Sequence, residues 1–507
     1  MQAESVAMEQ LGIPQMLLME HAATAVSEEI RNITEPCRVK VLAGTGNNGA
    51  DAVAAGRLLA GYGYCVSIEI VGDGRRTEAM KEQIRIAGAY PEIRLSETVM
   101  NRQEEPYDIL IDGLFGIGLN REIQGLYREQ IEMLNGYRSR HPETKVISVD
   151  IPSGIDATTG EILGTAVRAD YTVTFSKPKT GLVLYPGRTY AGICITRPIG
   201  IPESAWDKET GYPVLTGLQM LPKRPADGHK GVFGRTLLIA GSDGMTGASV
   251  LAAKACYRCG AGICKAVGTE QVLRDLTAIV PEALSMTRQA FLDNPEEAGK
   301  GFETVVIGPG LGLTEESEKL VETVLRYNDK TIIWDADALT ILAASLTCDT
   351  PGERIAELSR KLPANSILTP HIGELGRLLG QPSGELAGHT WQTATLWNET
   401  SGITLIMKNA CTLIVGDGTI CLNRTGNDGM GTAGSGDVLA GICGALGKAV
   451  TDGTVTAAEA AAAAVSIHGT AGDRMAAKLG TRSLMSGDIA EGIPETLKTL
   501  TDEKGME

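Results

Sequence analysis

The segment VKVLAGTGNNGAD, residues 39–51, decides the fold class of the first half of the chain. Its apolar start, residues 39–43, indicates a buried β-strand, and the glycine-rich loop 44–51 follows at once. The apolar spacing of residues 53–59 then indicates a helix. A strand, a glycine-rich turn and a helix in this order are typical of parallel α/β sheets that bind a ligand at the turn.

The loop also has the G-x-G-x-x-G spacing of a dinucleotide-binding turn, and Glu69 follows about 20 residues later at the end of a second strand. Alone, this pattern favours an NAD-dependent oxidoreductase. Asn47 and Asn48 weaken that interpretation, because their amides occupy the turn where a pyrophosphate normally approaches bare backbone. Asp51 adds a negative charge at the helix start, and a helix-capping carboxylate is an alternative role for it.

Strand and helix patterns alternate along the whole chain and predict an α/β fold. The predicted strands of the first half are residues 39–43, 65–71, 107–111, 145–149 and 171–175. Prolines and an Asp-Gly pair interrupt the alternation within residues 202–233, after which strands are predicted at 235–240, 263–267, 305–307, 331–334, 366–369 and 404–407. We therefore predict a Rossmann-like three-layer domain at residues 1–215 and a second α/β domain at 216–507, which ends in helices, the last containing Ala460 to Ala464.

Composition excludes several classes of function. The net charge is −16 and Lys and Arg do not cluster, which argues against nucleic-acid binding. No apolar run approaches the ~18 residues of a membrane-spanning helix, and the amino terminus lacks the basic and apolar parts of a signal peptide. The ten cysteines are scattered, as in a protein with reduced thiols. We expect a soluble cytoplasmic protein with small-molecule partners.

Polar residues follow two further strands of the first half, in DGLFGIGLNR (112–121) and VDIPSGIDATTG (149–160). The carboxyl ends of parallel strands meet in one crevice, so Asn48, Asp112 and Ser153 would offer oxygen atoms to a hard monovalent cation. Asp150 is a candidate general acid or base. Asp-Gly and Pro-Ser-Gly are also common turn formers, and each motif alone has that simpler explanation.

Taken together with residues 13–20 and TFSKPKTGL (174–182), these motifs resemble the NAD(P)HX epimerase family over roughly residues 10–185. The resemblance implies potassium bound by Asn48, Asp112 and Ser153, a substrate contact by Asp150 and a catalytic role for Asp150 and Lys179. It implies that the hydrated nucleotide is lined by Asn47, Asn48, Gly49, Ala50, Asp51, Gly116, Ile117, Gly118, Leu119, Asn120, Arg121 and Glu122. The family loop usually has glycine at positions 50 and 52, where this chain has alanine.

A second glycine-rich loop, NDGMGTAGSGD (427–437), leads into an apolar helix at 438–446. Such a loop at a helix amino terminus binds anions, and its amides stabilise a phosphoryl group as charge develops. Asp437 would accept the proton of a hydroxyl that attacks the phosphoryl group. Helix capping is the alternative role of Asp437. His371, after the strand 366–369, is either a structural hydrogen-bonding residue or a ligand contact.

With GSDGMTGA, GPGLG, DADAL, TPHIGEL and MKNACT, this loop resembles the NAD(P)HX dehydratase branch of the ribokinase-like fold over about residues 235–445. In that family the hydroxyl of the hydrated nicotinamide is phosphorylated and phosphate is eliminated. The resemblance implies substrate contacts by Ala248, Gly312, His371 and Asp437. It implies nucleotide contacts by Lys408, Asn409, Ala410, Cys411, Thr412 and Gly436. The implied co-substrate is ADP or ATP with Mg²⁺, and we expect NADHX or NADPHX as substrate and a homo-oligomer.

Two alternatives remain open from the sequence. A kinase of a small alcohol or vitamin precursor would use the same loop and Asp437, but it would release a stable phosphoester. The first domain would be a silent ligand-sensing module if Ala50 and Ala52 block its site.

Overall fold

The computed structural model describes residues 2–72, 74–96, 106–206, 214–216 and 225–502. The chain forms two compact units, Met1–Thr210 and Gly211–Glu507. The strand Val214–Thr216 pairs with a strand of the second unit. The second unit thus starts a few residues before residue 216, the start that the sequence indicates.

The first unit is a parallel sheet covered by helices. Its strands are β1 (Arg38–Ala43), β2 (Cys65–Ile70), β3 (Ile93–Ser96), β4 (Ile109–Gly113), β5 (Lys145–Val149), β6 (Tyr171–Phe175) and β7 (Ile193–Arg197). Its helices are α1 (Gln2–Ser5), α2 (Gln15–Ile33), α3 (Asn47–Gly61), α4 (Glu78–Ala87), α5 (Gly125–Arg140) and α6 (Gly187–Ala191). Within the described residues, all seven strands run parallel in the order β3-β2-β1-β4-β5-β6-β7.

Strand β1 shows why this sheet is buried on both faces. Val39, Val41 and Ala43 pack into a core cluster with residues of α2 and α3. Leu42 points to the other face and packs with Ile131 of α5. A parallel sheet needs such cover on both sides, which explains its uninterrupted apolar strands. The Rossmann-like three-layer prediction is confirmed, and the strand order reverses between β1 and β4, where a crevice opens at the carboxyl ends.

The second unit is also α/β, as predicted. Its strands are β8 (Val214–Thr216), β9 (Arg235–Ile239), β10 (Ile263–Gly268), β11 (Leu284–Thr287), β12 (Thr304–Ile307), β13 (Thr331–Trp334), β14 (Ser366–Leu368), β15 (Thr404–Met407), β16 (Leu413–Gly416) and β17 (Thr419–Asn423). Its helices are α7 (Thr246–Arg258), α8 (Glu270–Ile279), α9 (Arg288–Asp293), α10 (Pro295–Gly299), α11 (Glu315–Val324), α12 (Ala336–Ala344), α13 (Pro351–Lys361), α14 (Ile372–Leu379), α15 (Ser383–Gly388), α16 (Thr390–Thr400), α17 (Ser435–Thr451), α18 (Ala457–Leu479) and α19 (Ser486–Asp502).

The sheet of this unit has the order β11-β10-β9-β12-β13-β14-β15-β16-β17-β8. The strands from β11 to β15 in that order are parallel, whereas β16 is antiparallel to both neighbours. Its strand order reverses between β9 and β12, so this unit has a crevice of its own at the carboxyl ends. Helices α7 and α17, which start beside that crevice, pack against each other in the core.

One prediction about the helices is wrong. The alanine run Ala460 to Ala464 lies in α18, and α19 follows it. Gly487, Gly492 and Pro494 make α19 a poor helix by intrinsic propensity. Tertiary packing overrides that propensity, because Ile489 and Ile493 are fully buried. Throughout the described residues, no helix combines the length and the apolar character needed to cross a membrane.

Candidate active sites

A cavity of ≈ 580 Å³ opens at the carboxyl end of the first sheet, beside the turns that follow β1, β4 and β5. Its lining includes ten of the residues predicted for the first site: Asn47, Asn48, Asp51, Gly116, Ile117, Gly118, Leu119, Asn120, Arg121 and Asp150. The other residues predicted for this site are absent from the lining: Gly49, Ala50, Asp112, Glu122, Ser153 and Lys179. Gly49 serves the turn itself, because a Cβ there would lie 2.0 Å from the carbonyl oxygen of Gly44.

Ala50 and Ala52 do not narrow this cavity. Both side chains are fully buried, and both belong to the core cluster that covers β1. The alanines that distinguish this loop from the usual family sequence therefore face the protein interior. These two alanines therefore give no structural reason to expect that the first domain is inactive.

The three residues predicted to bind a cation lie together under the same cavity. The buried Asp112 carboxylate accepts hydrogen bonds from Ser153 Oγ at 2.6 Å, Ser153 N at 2.9 Å and Ser148 Oγ at 2.8 Å. Ser153 Oγ lies 3.3 Å from the Phe115 carbonyl oxygen, which also accepts a bond from Asn48 Nδ2 at 2.9 Å. Burial raises the pKa of Asp112, although these hydrogen bonds act in the opposite direction.

Asp150 is fixed in position by its backbone and by three donors. Its φ of 64° lies in the left-handed region, which is uncommon for a residue other than glycine. Oδ1 accepts hydrogen bonds from Lys179 Nζ, from Phe175 N at 3.1 Å and from Thr174 Oγ1 at 3.2 Å. Lys179 also donates to the Phe175 carbonyl oxygen at 3.1 Å. The structure thus brings the two predicted catalytic residues of the first unit into one ion pair.

Asp51 faces the same cavity and does not cap its helix. Helix α3 begins at Asn47 after the N-cap residue Gly46, which places Asp51 beyond the first turn. Burial, and then repulsion by Asp150 and Glu4, raise the pKa of Asp51 well above its usual value. A carboxyl group with a raised pKa beside a second carboxyl group that pairs with lysine is an acid–base arrangement. Sequence reasoning missed Glu4, which lies in a segment without any motif.

The dehydrogenase interpretation of the first loop is wrong. Glu69, the residue in the ribose-binding position of that pattern, is 2% exposed and forms an ion pair with Lys40 at 2.9 Å. A carboxylate that is buried and neutralised in this way cannot receive a ribose hydroxyl. Glu69 pairs with Lys40, 29 positions earlier, because β1 and β2 are neighbours in the sheet. The spacing of residues in the sequence does not show which strands are neighbours.

In the second unit, Asp437 lies in the first turn of α17, directly after the glycine-rich loop. The N-cap residue is Gly434, so the capping alternative for Asp437 is wrong. The pKa of Asp437 is raised to about 7. Burial is the largest cause, the charges of Asp335, Asp337 and Glu374 act in the same direction, and Lys408 opposes them. A carboxylate with a pKa near neutrality is suited to accept a proton at physiological pH.

Lys408 is the predicted nucleotide-binding residue whose charge interacts with Asp437. Its Nζ lies 2.8 Å from Asp335 Oδ1 and 4.0 Å from Glu374 Oε2. A Cβ at Gly436 would lie 3.1 Å from the same Nζ, so Gly436 leaves room for the lysine. Burial lowers the pKa of Lys408, but the two carboxylates outweigh this effect and the pKa is raised. Lys408 is therefore a fixed positive charge at this site.

The remaining predicted nucleotide residues form the turn between β15 and β16. Asn409 and Ala410 are exposed, and Thr412 Oγ1 donates to the Asn409 carbonyl oxygen at 3.2 Å. Cys411 is buried, with its Sγ 3.5 Å from the Asn423 carbonyl oxygen. Asn409 and Ala410 thus form the exposed part of this turn, and Cys411 anchors the turn to the core.

Of the residues predicted to contact the substrate, Ala248 lies in the first turn of α7 beside the GPGLG loop. A Cβ at Gly310 would lie 2.9 Å from the Ala248 Cβ, so the loop and the helix are in close contact. Arg288 secures this loop from below, with Nη2 donating to the Gly241 carbonyl oxygen at 2.6 Å and to the Leu311 carbonyl oxygen at 2.8 Å. Gly312 N donates to Asp337 Oδ2 at 2.8 Å.

His371 has a structural role that is compatible with ligand contact. Its Nδ1 accepts hydrogen bonds from Gly373 N at 3.0 Å and Glu374 N at 3.3 Å, which caps α14. The side chain is 56% exposed, so the ring remains available to a ligand. His468 was not predicted: it is buried, Nε2 lies 3.3 Å from Ser435 Oγ, and burial lowers its pKa to about 4. His468 lies within α18, and only its contact with Ser435 at the start of α17 connects it to this site.

Comparisons with known proteins place one family match in each unit. The model described as NAD(P)H-hydrate dehydratase matches residues 236–495, and the model described as YjeF-related protein N-terminus matches residues 15–181. The bifunctional NAD(P)H-hydrate repair enzyme Nnr of Thermofilum pendens is 35% identical, over 98% of this chain and 94% of its own. The enzyme of the same name from Moorella thermoacetica is 34% identical, over 99% of this chain and 96% of its own.

Among solved structures, the ADP/ATP-dependent NAD(P)H-hydrate dehydratase of Bacillus subtilis, co-crystallized with ATP/Mg²⁺, is 29% identical. The match covers 55% of this chain and 95% of that one, with a TM-score of 0.48.

Proposed function

Since this chain belongs to the family of bifunctional NAD(P)H-hydrate repair enzymes, we propose that its first unit epimerises hydrated NAD(P)H and its second unit dehydrates one epimer with ADP or ATP. Water adds to NAD(P)H in two configurations, and a stereospecific dehydratase needs an epimerase to recover the other one. The observation that supports this proposal most directly is Asp437, placed at the start of α17 beside Lys408 with a pKa of about 7.

In the second unit, Asp437 accepts the proton of the ring hydroxyl while that oxygen attacks the terminal phosphate of the nucleotide. The amides at the start of α17 and the Lys408 ammonium stabilise the negative charge of the transferred phosphoryl group. Elimination then breaks the carbon–oxygen bond and releases inorganic phosphate. The neighbouring carbon loses a proton, and the ring double bond is restored.

In the first unit, Asp51 and Asp150 divide the acid and base roles. Asp51 donates a proton as the ring hydroxyl leaves as water, and Asp150 accepts a proton from the water molecule that adds to the opposite face. The proton on Asp150 then returns to Asp51 through solvent, so that both carboxyl groups end in their starting states. The ion pair with Lys179 holds the Asp150 side chain in place at the cavity. Arg121 in the lining offers a positive charge to the phosphates of the dinucleotide.

Two cations complete the proposal. The carboxylate, hydroxyl and amide oxygens of Asp112, Ser153 and Asn48, with the adjacent Phe115 carbonyl, are hard ligands and fit K⁺. Mg²⁺ would neutralise the phosphates of the bound nucleotide next to the carboxylates around Lys408. Because the reactants are soluble nucleotides, we also propose a cytoplasmic location. The homo-oligomeric state remains a prediction.

The test is to incubate the full-length protein with both epimers of hydrated NADH and with ADP or ATP, while the absorbance of reduced nicotinamide is recorded. We expect complete recovery, provided that spontaneous epimerisation is slow over the assay. Recovery of half the absorbance would contradict the epimerase, and a stable phosphoester product would favour a kinase over a dehydratase.

Two variants separate the sites. Asp437→Asn should abolish nucleotide-driven recovery while epimerisation continues, because Asn cannot accept the hydroxyl proton. Asp150→Asn should abolish epimerisation while the correct epimer is still dehydrated. If either variant loses both activities, the assignment of one reaction to each unit is wrong.

A further inference from the structure

The segment Asp335-Ala336-Asp337 lies at the start of α12, and both of its carboxylates bind partners outside this helix. Asp335 is the N-cap residue of α12 and Asp337 lies in the first turn, where carboxylates normally bond the free amides of their own helix. The Asp335 side chain makes no capping hydrogen bond. Both carboxylates instead reach other parts of the second unit.

Asp335 reaches the nucleotide side. Its Oδ1 accepts hydrogen bonds from Lys408 Nζ at 2.8 Å and from Thr369 Oγ1 at 2.6 Å, and the residue is 1% exposed. A buried carboxylate with two donors has little freedom to move, and it fixes the lysine that it pairs with.

Asp337 reaches the substrate side. Its Oδ2 accepts the hydrogen bond from Gly312 N at 2.8 Å. Gly312 has a φ of +82°, a conformation that a side chain would strain, and it lies between β12 and α11 in the GPGLG loop. The aspartate therefore fixes the backbone of this loop at Gly312, next to the buried Leu311.

Ala336 connects the two aspartates in the left-handed conformation, with a φ of 49°. Strained residues of this kind persist where the surrounding structure fixes them, and they concentrate at functional sites. Here the strained residue separates two carboxylates whose bonded neighbours lie in loops that follow different strands.

We propose that Asp335-Ala336-Asp337 is a positioning segment that links the two halves of the dehydratase site: Asp335 places Lys408 for the nucleotide, and Asp337 places the Gly312 loop for the hydrated nicotinamide dinucleotide. The inference rests on the proposed function, from which it takes the two ligand assignments. Neither aspartate is assigned a contact with a ligand, so both are positioning residues and not catalytic ones.

The charges of the segment also act on Asp437. The charged groups that face Asp437 are Asp335, Asp337, Glu374 and Lys408, and the first three raise its pKa. Removal of the Asp335 charge should lower the pKa of Asp437 and shift the acidic limb of the rate profile to lower pH. A merely structural role of Asp335 would not shift this limb.

The test is the steady-state kinetics of dehydration by the full-length protein. The substrates are the hydrated epimer on which the second unit acts and ADP or ATP, and the concentration of each is varied in turn. Asp335→Asn should raise the KM of the nucleotide about 10-fold and leave the KM of the dinucleotide within about 2-fold, because one charged hydrogen bond is lost. Asp337→Ala should have the reverse effect, and Asp337→Asn should restore part of it because Asn keeps an acceptor. Asp349→Asn, an exposed surface change, is the matched control.

Equal changes of both KM values in each variant, or no change in either, would overturn the proposal. Thermal unfolding of each variant shows whether it has folded. Calorimetric titration with ADP provides a readout that does not depend on turnover. If wild-type protein binds ADP but dehydrates nothing, the proposed function is wrong, whereas weaker ADP binding in Asp335→Asn alone still supports the role of Asp335.

Discussion

At the scale of single residues, Asp437 connects burial to reactivity. Its carboxyl group is surrounded by three other acidic side chains and one lysine, and its pKa of about 7 is the balance of burial and these charges. The same group on the protein surface would be ionised at any pH at which the enzyme works. Its position thus brings the pKa of this carboxyl group into the neutral range.

A pH profile follows from this pKa. Asp437 has to lose its proton before it can accept one, and its raised pKa means that the protonated form dominates below about 7. We therefore expect kcat/KM for dehydration to fall about tenfold per pH unit on the acidic side of that value, as measured with the purified epimer at saturating nucleotide. A wild-type rate that stays constant down to the usual range of an aspartate would contradict the assignment.

Some residues in these sites are readable from sequence and others are not. Asp112 and Asp150 stand out because each follows an apolar run, and Asp437 stands out because it ends a glycine-rich loop before an apolar helix. Lys408 and Asp335 are 73 positions apart, and their contact depends on which strands become neighbours. Glu69 misled the sequence interpretation for the same reason, since its partner Lys40 lies on the adjacent strand.

At the scale of elements, the strands with continuous apolar runs were predicted closely, and those at the sheet edges were missed. Strands β3, β7 and β11 are short and partly exposed, so their sequences lack a strong pattern. The hairpin β16–β17 does have a sequence signature, the pair Asp417-Gly418. With φ of 53° and 73°, these two residues form a two-residue turn of the primed type. Local sequence thus predicts buried strands well, whereas edges and packed helices such as α19 depend on tertiary contacts.

The contact between α7 and α17 positions both sides of the second site, because each helix starts at the crevice. A Cβ at Gly441 of α17 would lie 2.2 Å from the Ala252 carbonyl oxygen of α7. Gly441→Ala should therefore force the helices apart, lower the free energy of unfolding by about 2 kcal/mol and reduce kcat for dehydration. Chemical denaturation and steady-state kinetics measure the two effects.

Gly487→Ala in α19 is the matched control, because the added Cβ has no heavy atom within 4 Å outside the adjacent residues and the backbone of its own helix. It should leave kcat unchanged and raise the stability slightly through helix propensity. If Gly441→Ala proves as harmless as this control, the close packing of α7 and α17 has no role in positioning Asp437.

At the scale of the whole molecule, two sheets of different topology each place a site where the strand order reverses. The chain has a net charge of −16, although both reactants are anionic. Binding must then come from local features that oppose the overall field: Arg121 in the first unit, and Lys408 with the amides at the start of α17 in the second. Every residue assigned to a reaction lies within the unit that performs it.

This separation predicts complementation between two inactive chains. Asp150→Asn lacks the epimerase and Asp437→Asn lacks the dehydratase, but each keeps the other site complete. An equimolar mixture of the two variants should recover all the absorbance from a mixture of both epimers, because the intermediate is a soluble dinucleotide that can diffuse between chains. Each variant alone is the control: Asp150→Asn should stop at half recovery and Asp437→Asn should recover none. A mixture that recovers no more than Asp150→Asn alone would show that the epimer has to pass between the two sites of one chain.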